Sequence, residues 1–275
     1  MLGYVLPGGA ARGSVQYGML ESLHVAGWRP KVLVGTSAGA LNDVGYKFRG
    51  ILGLYEIWMS IKGRSSVFGT RIDGWAPWRE GLYSSDPLRK LIERALATGP
   101  TYPDIVSYVT MTNFRKGCVE YEEIHENNRN VDAILASASI PGVVDSVQDK
   151  WVDGGVLENA PLRKAIELGC DEVVVLMCNR LQLPEYTKPI EVPKKLHVAI
   201  RNLDIMMNDA LKWDLAEADW HNKNNVGRQV KVHIIEPPIE YERAGSDFSK
   251  EAIDEGIRYG RQAGKEWCEK IARAA

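Results

Sequence analysis

Short apolar runs alternate with amphipathic stretches along most of the chain. The apolar runs predict strands at LGYVL (2–6), KVLV (31–34), DIVSYVTMTN (104–113), CVEYE (118–122), DEVVVLMC (171–178) and RQVKVHII (228–235). Helical spacing predicts helices at Ser14 to Ala26, from Ala38 onward, at Leu52 to Ile61, after Ser85, and at 194–219 and 248–270. This alternation is typical of helices packed on a largely parallel sheet. We therefore expect a three-layer α/β/α fold, with residues 1–275 in one domain.

The composition narrows the possible classes of protein. A content of 45% hydrophobic and 25% charged residues is ordinary for a globular protein, and a net charge of -2 gives no reason to expect nucleic acid as a partner. The four cysteines lack the spacing of a disulfide framework or a zinc site; they are Cys118, Cys170, Cys178 and Cys268. We see no signal peptide and no run of roughly 18 apolar residues, so we expect a cytoplasmic protein.

A candidate nucleophile lies in the stretch VLVGTSAGAL, Val32 to Leu41. The stretch predicts a buried strand, a sharp turn and the start of a helix, with Ser37 at the centre of Gly-x-Ser-x-Gly. Gly35 and Gly39 relieve the crowding of such a turn, and the N-terminus of the helix favours developing negative charge. A tight α/β connection without a catalytic role has the same pattern, so the motif alone leaves both interpretations open.

A glycine-rich loop, PGGAARG (7–13), joins the first strand to the first helix. Consecutive glycines let several backbone N–H groups point into one cavity, which can bind a phosphate or the oxyanion of a reaction. Dinucleotide sites require G-x-G-x-x-G, and nucleotide phosphate loops require G-x-x-x-x-G-K-[ST]. The spacing of Gly8, Gly9 and Gly13 matches neither pattern. An oxyanion or another anion is therefore the better hypothesis for this loop.

A carboxylate is a better candidate than a histidine for the base that activates Ser37. None of the histidines adjoins a glycine-rich turn at a strand end; they are His24, His125, His197, His221 and His233. Asp153, in WVDGGVLENAPL (151–162), follows a short β-like stretch and precedes Gly154 and Gly155. An Asp-Gly turn is common, but this one can place a carboxylate at the C-terminal rim of a sheet. The glycine loop also precedes Ser37 by only about 25 residues, unlike the order in α/β-hydrolases.

These three elements, in this order, resemble the patatin-like phospholipase family. VLPGGAARGSVQYGMLESL is similar to the family's G-G-G-x-R-G loop and helix, GTSAGA to its G-x-S-x-G elbow, and VDGGVLENAPL to its D-G-[GA] motif. AILASASIPGVV (133–144) is similar to the family's stretch just upstream of the aspartate. The resemblance covers most of the chain and is weakest at 51–100, a variable, lid-like segment.

The resemblance implies a dyad of Ser37 and Asp153, with no histidine. Ser37 would attack an ester carbonyl, and Asp153 would take its proton and later activate water. The N–H groups of Gly8, Gly9 and Ala10 would hold the oxyanion. No metal and no cofactor is implied.

Other residues match the family's motifs in supporting positions, namely Arg12, Gly13, Gly35, Gly39, Gly154 and Gly155. Arg12 is expected to pin the loop, with contact to a substrate phosphate as the alternative. The third glycine of the family loop is Ala10 here. Alanine keeps the N–H group but resists positive φ, so this loop has either a negative φ at Ala10 or slight strain.

The segment 61–80, IKGRSSVFGTRIDGWAPWRE, mixes charged and aromatic side chains. The residues concerned are Lys62, Arg64, Phe68, Arg71, Asp73, Trp75, Trp78, Arg79 and Glu80. Basic and aromatic side chains together suit a membrane interface or an acyl-chain entrance. A surface loop with its tryptophans folded into the domain fits the pattern equally well. Peripheral membrane contact through 61–80 is therefore one of two interpretations.

The resemblance implies a hydrolase that cleaves lipid carboxylic esters, of phospholipase A or lysophospholipase type, through an acyl-enzyme on Ser37. Its substrate would be a lipid or another acyl ester. A soluble carboxylesterase, thioesterase or acyltransferase with the same dyad is an alternative. A binding module for acyl lipids without catalysis is a further one, although the intact pair of Ser37 and Asp153 argues against it.

Overall fold

The computed structural model describes residues 1–70, 80–182, 194–224 and 229–274. Seven strands form one sheet, with the order β4-β3-β2-β1-β6-β7 and β5 beside β3. The strands are β1 (Leu2–Leu6), β2 (Val32–Thr36), β3 (Val106–Asn113), β4 (Cys118–Glu123), β5 (Trp151–Asp153), β6 (Glu172–Leu176) and β7 (Lys231–Ile235). Strands β4 and β5 run antiparallel to β3, and the other pairs are parallel.

Helices cover both faces of the sheet. They are α1 (Gly13–Val25), α2 (Ala38–Ser60), α3 (Asp86–Ala95), α4 (Val131–Ser137), α5 (Leu162–Glu167), α6 (Lys194–Asn224) and α7 (Lys250–Ala274). Successive residues of a strand point to opposite faces. Tyr4 and Leu6 accordingly belong to a core cluster with residues of α1, α2, α3, α4 and α7, whereas Val5 belongs to a second cluster with residues of α5 and α6. The expected three-layer α/β/α fold with a largely parallel sheet is confirmed.

Helix α2 folds back on itself at Gly50. This residue has φ 63° and ψ -178°, and the two arms of the helix lie on either side of it. The arms are in contact, because Trp58 Nε1 donates a hydrogen bond of 2.8 Å to Asn42 Oδ1. The separate helices expected from Ala38 and from Leu52 to Ile61 are these two arms.

The hydrophobic pattern of the sequence did not predict two short helices. The α4 and α5 helices have only 7 and 6 residues, which is too short for a clear helical periodicity. The expected strand at 228–235 begins at Lys231, and residue 228 lies outside the described part of the chain. Among the described helices, none is both long enough and apolar enough to cross a bilayer.

We expect Gly50→Ala to lower the free energy of unfolding by about 1–3 kcal/mol, because the backbone conformation at this position is almost restricted to glycine. Urea unfolding of the purified variant measures the change. Leu52→Ala is the matched control and should leave the free energy of unfolding almost unchanged. Leu52 lies two residues after Gly50, in the second arm, and its side chain is 75% exposed. Equal stability of Gly50→Ala and the wild type would contradict the conformation of this turn.

Candidate active site

Ser37 occupies the turn between β2 and α2. Its backbone has φ 56° and ψ -123°, a strained conformation for a residue with a side chain. Its N–H donates to Ser137 Oγ at 3.0 Å, and its carbonyl accepts from the N–H groups of Ala40 and Leu41. The turn is therefore held from both sides, and it projects the side chain away from the strand.

Two glycines allow this turn by close backbone packing. A Cβ atom at Gly39 would lie 1.8 Å from the carbonyl oxygen of Leu6, at the end of β1. A Cβ atom at Gly35 would lie 2.6 Å from Ala40 Cα. Since real Cβ atoms do not approach backbone this closely, any other residue at either position would push α2 away from the sheet.

Asp153 is brought to Ser37 by the edge of β3. Along that edge β2 pairs as far as Thr36, which lies opposite Thr110. At the next residue of β3, Met111, the pairing strand is β5, with Asp153 opposite Met111. The residue after β2 and the last residue of β5 therefore meet in space, although they are far apart in sequence.

The Asp153 carboxyl group is fully buried. Burial raises its pKa to about 7, while hydrogen bonds from the Ser37 hydroxyl and the Gly155 N–H oppose the rise. The Gly155 N–H donates to Oδ1 at 2.9 Å. Oδ2 makes no hydrogen bond to the described residues, and the neighbouring Ser37 hydroxyl is close enough to oppose the rise in pKa. An ionised carboxyl group here is poorly solvated and has a strong affinity for a proton.

The glycine loop faces the Ser37 side chain. A Cβ atom at Gly8 would lie 2.8 Å from Ser37 Cβ. The N–H of Gly8 donates to Asn159 Oδ1 at 2.8 Å. The N–H groups of Gly9 and Ala10 make no hydrogen bond within the described part of the chain. The N–H groups of Gly9 and Ala10 are therefore unengaged donors at the loop, and the binding of an oxyanion by Gly8, Gly9 and Ala10 stays a prediction.

Ala10 adopts φ 52°, so the loop has slight strain and the alternative of a negative φ is wrong. The strain is maintained by contacts around the loop. The N–H of Ala11 donates to the Gly245 carbonyl at 3.0 Å, and that of Arg12 to the Gly9 carbonyl at 3.1 Å.

Arg12 is buried under the loop. Its Nε donates to the Gly9 carbonyl at 3.3 Å, and its guanidinium group forms an ion pair with Asp204 of α6. These contacts favour the role of pinning the loop over contact with a substrate phosphate. Sequence reasoning missed Asp204, because nothing in a helical stretch almost two hundred residues away indicates this partner. Asn159 lies within the aspartate motif and could have been singled out there.

An apolar pocket opens beside Ser37 between the two arms of α2 and helices α3 and α4. Its empty volume is about 790 Å³, including solvent at the mouth. The wall consists mainly of aliphatic and aromatic side chains, among them Leu41, Leu54, Ile57, Trp58, Leu88, Ile92, Ile134 and Phe248. Ser37 and Ala10 lie at the same pocket, so the nucleophile candidate and the loop face an apolar space.

The basic and aromatic segment is described only in part. Phe68 is buried in the core and contacts Phe248, with ring centroids 5.7 Å apart. The remaining aromatic residues of the segment and three of its charged ones lie outside the described residues; they are Arg71, Asp73, Trp75, Trp78 and Arg79. Contact with a membrane through 61–80 stays a prediction.

The described histidine side chains have other partners. His24 Nδ1 lies 2.9 Å from the Tyr46 hydroxyl, and His233 Nε2 lies 2.8 Å from Glu172 Oε1. His125 Nδ1 accepts from the Asn127 N–H. The side chain of His197 is outside the described part of the chain.

Comparison with known proteins places this arrangement in a family. The model of the patatin-like phospholipase family matches residues 4–166, which include the loop, the Ser37 turn and the Asp153 motif. A protein named lysophospholipase nte1, from Aspergillus terreus, is 27% identical over 186 residues. That match covers 62% of this chain and 11% of the relative, so the chain spans only a small part of the relative's length.

The fold is also similar to a solved structure, VipD from Legionella pneumophila. The TM-score is 0.54 at 14% identity, with 98% of this chain and 66% of that chain covered. At this identity the likeness concerns the fold alone. The family match extends over more than half of the chain and includes all three motifs. The chain therefore belongs to the patatin-like phospholipase family.

Proposed function

We propose that this protein is a serine hydrolase that cleaves carboxylic esters of lipids, with Ser37 as the nucleophile and Asp153 as the base. The observation that carries this proposal is the position of Ser37 beside the buried Asp153 carboxyl group, at the apolar pocket. A serine hydroxyl needs a base to become a good nucleophile. A carboxylate deprived of water is more basic than usual, as the raised pKa of Asp153 indicates.

The reaction would proceed through an acyl-enzyme. Asp153 accepts the proton of the Ser37 hydroxyl as the oxygen attacks the ester carbonyl, and the C=O bond becomes a C–O⁻ bond. The tetrahedral intermediate then collapses, the ester bond breaks, and the proton passes from Asp153 to the leaving alcohol. Water attacks the acyl-enzyme in the second half-reaction, giving its proton to Asp153, and the free acid leaves as Ser37 regains a proton.

The glycine loop would stabilise the oxyanion of both intermediates. The N–H groups of Gly9 and Ala10 are the donors we assign to this role. The bond from Gly8 to Asn159 would hold the loop at its distance from Ser37. Removal of one donor in such a hole typically costs about 10²–10³ in rate.

The pocket and the family both support a lipid substrate. An apolar pocket at Ser37 suits an acyl chain, since burying it gains about 0.8 kcal/mol for each CH₂ group. The relative from Aspergillus terreus carries the name lysophospholipase, which supports a lipid with at least one acyl chain. We therefore propose phospholipids or lysophospholipids as substrates.

Labelling with a fluorophosphonate probe tests the nucleophile. We expect the wild type to be labelled and Ser37→Ala to remain unlabelled. Asp153→Asn should lower hydrolysis of a lysophospholipid by about 10²–10⁴, because a positioned base contributes that much. Asp219→Asn, on an exposed carboxylate of α6, is the matched control and should keep full activity. Folded wild-type protein that resists the probe would overturn the assignment, as would a single histidine whose replacement abolishes turnover.

The rate should depend on pH through the ionisation of Asp153. Because the base must be ionised, kcat/KM should rise with pH along an acid limb centred near the pKa of about 7. Steady-state rates on a monomeric ester between pH 5 and pH 9 provide the profile. A flat profile down to pH 5 would rule out this carboxyl group as the base.

The same ionisation should make the fold less stable. The pKa of Asp153 is raised above its unfolded value of about 3.9, so stability falls as the pH rises from about 4 to about 7. Asp153→Asn should therefore raise the free energy of unfolding by about 1–4 kcal/mol at pH 8, and much less at pH 5, where the carboxyl group is already neutral. Urea unfolding at the two pH values measures this difference. An equal effect at both would show that Asp153 does not titrate in this range.

A further inference from the structure

A second cavity adjoins the apolar pocket at the glycine loop. Its empty volume is about 270 Å³, part of it open to solvent. Four residues line both spaces, namely Ala10, Phe68, Ile140 and Phe248. The second cavity differs in chemistry, because Arg64 and Ser246 also line it. A cation and a hydroxyl group therefore lie next to the proposed oxyanion loop.

The guanidinium group of Arg64 has unused hydrogen-bonding capacity. It lies over the Tyr83 ring, 5.8 Å from the centroid. Within the described residues, its buried Nη1 atom has no hydrogen-bond partner, and Arg64 forms no ion pair with a carboxylate. Arg12, the other arginine near the loop, is already paired with Asp204. A buried N–H group without a partner is costly, so native structures rarely leave one unused.

Ser246 provides a second unused donor in the same cavity. The residue is only 8% exposed, and its Oγ atom is buried without a hydrogen-bond partner among the described residues. Gly245, the residue before it, holds the glycine loop through its carbonyl group. The hydroxyl group of Ser246 therefore lines the same cavity as Arg64, next to a residue that holds the loop.

We propose that Arg64 and Ser246 bind the phosphate group of a phospholipid substrate while its acyl chain lies in the apolar pocket. The inference rests on the proposed function and assigns a head-group subsite to it. A guanidinium group matches the geometry and charge of a phosphate oxygen pair. Ala10 lines both cavities and carries a proposed oxyanion donor, so the ester would lie between the acyl chain and the phosphate. That order is the order of the groups in a lysophospholipid.

Two monoacyl substrates with the same acyl chain test the subsite, one being lysophosphatidylcholine and the other an uncharged monoacylglycerol. For Arg64→Gln we expect kcat/KM to fall about 10–100-fold on the lysophospholipid, as for the loss of a hydrogen bond to a charged group. On the monoacylglycerol it should stay within about twofold of the wild type. Ser246→Ala should show the same selectivity with a smaller fall, and Arg64→Lys a partial one.

Arg273→Gln removes an exposed arginine at the end of α7 and should leave both rates unchanged. An equal fall on both substrates for Arg64→Gln would overturn the subsite, because it would mean that Arg64 only supports the fold or the loop. Inorganic phosphate separates the two sources of the anion. If phosphate inhibits hydrolysis of the lysophospholipid but not of the monoacylglycerol, the result supports a head-group site. If phosphate changes monoacylglycerol turnover in a way that depends on Arg64, the site binds free phosphate and the assignment is overturned.

Binding distinguishes failure of this inference from failure of the proposed function. An ether-linked lysophosphatidylcholine has no ester to cleave, and calorimetry below its micelle concentration measures its affinity directly. We expect Arg64→Gln to weaken this affinity about 10–100-fold and to leave that of the matching alkylglycerol unchanged. If the wild type hydrolyses neither ester but binds the ether lipid in a way that depends on Arg64, the proposed hydrolase function is refuted and the head-group subsite is supported. If the wild type hydrolyses both esters but binds the ether lipid independently of Arg64, the hydrolase function is supported and the subsite is refuted.

Discussion

The close packing of α2 against the end of β1 is the constraint on which the rest of the site depends. Gly39 lies so near the Leu6 carbonyl that no side chain fits between the two backbones. This contact forces the chain to turn sharply after β2, and Ser37 takes a positive φ as a result. The same contact brings the turn against the glycine loop, which begins directly after β1. The nucleophile candidate and the proposed oxyanion donors are therefore positioned by a single backbone approach.

The carboxyl group of Asp153 shows how the fold and the proposed chemistry make opposite demands. Burial without a cationic partner among the described contacts raises its pKa, and this burial costs stability whenever the group is ionised. A buried cation beside Asp153, as Arg12 is beside Asp204, would reduce this cost. It would also lower the basicity on which the proposed reaction depends. The sheet register at β3 maintains this arrangement, since it fixes Asp153 through backbone pairing rather than through charge.

Much of the architecture could be predicted from the sequence, because strands buried on both faces and helices of ordinary length leave strong hydrophobic patterns. The three motifs also indicated which residues meet, since glycines at a sharp turn mark the places where two backbones approach closely. The contacts of individual N–H groups could not be predicted in this way. Whether Gly8 donates to Asn159 or to a substrate depends on a side-chain position that only the folded chain defines. The partner of Arg12 could not be predicted either, because Asp204 lies on a helix that is distant in sequence.

The fold-back at Gly50 has a consequence for how the protein can change over evolution. One arm of α2 carries the strained turn of Ser37, while the other contributes Leu54, Ile57 and Trp58 to the pocket wall. Because a glycine hinge separates the arms, Ile57 of the second arm can vary in size without breaking a hydrogen bond to the arm that carries Ser37, whereas Trp58 is tied to Asn42. Selectivity for the length or shape of the apolar group can thus diverge among descendants of this protein while Ser37 and Asp153, the residues proposed to react, are inherited unchanged.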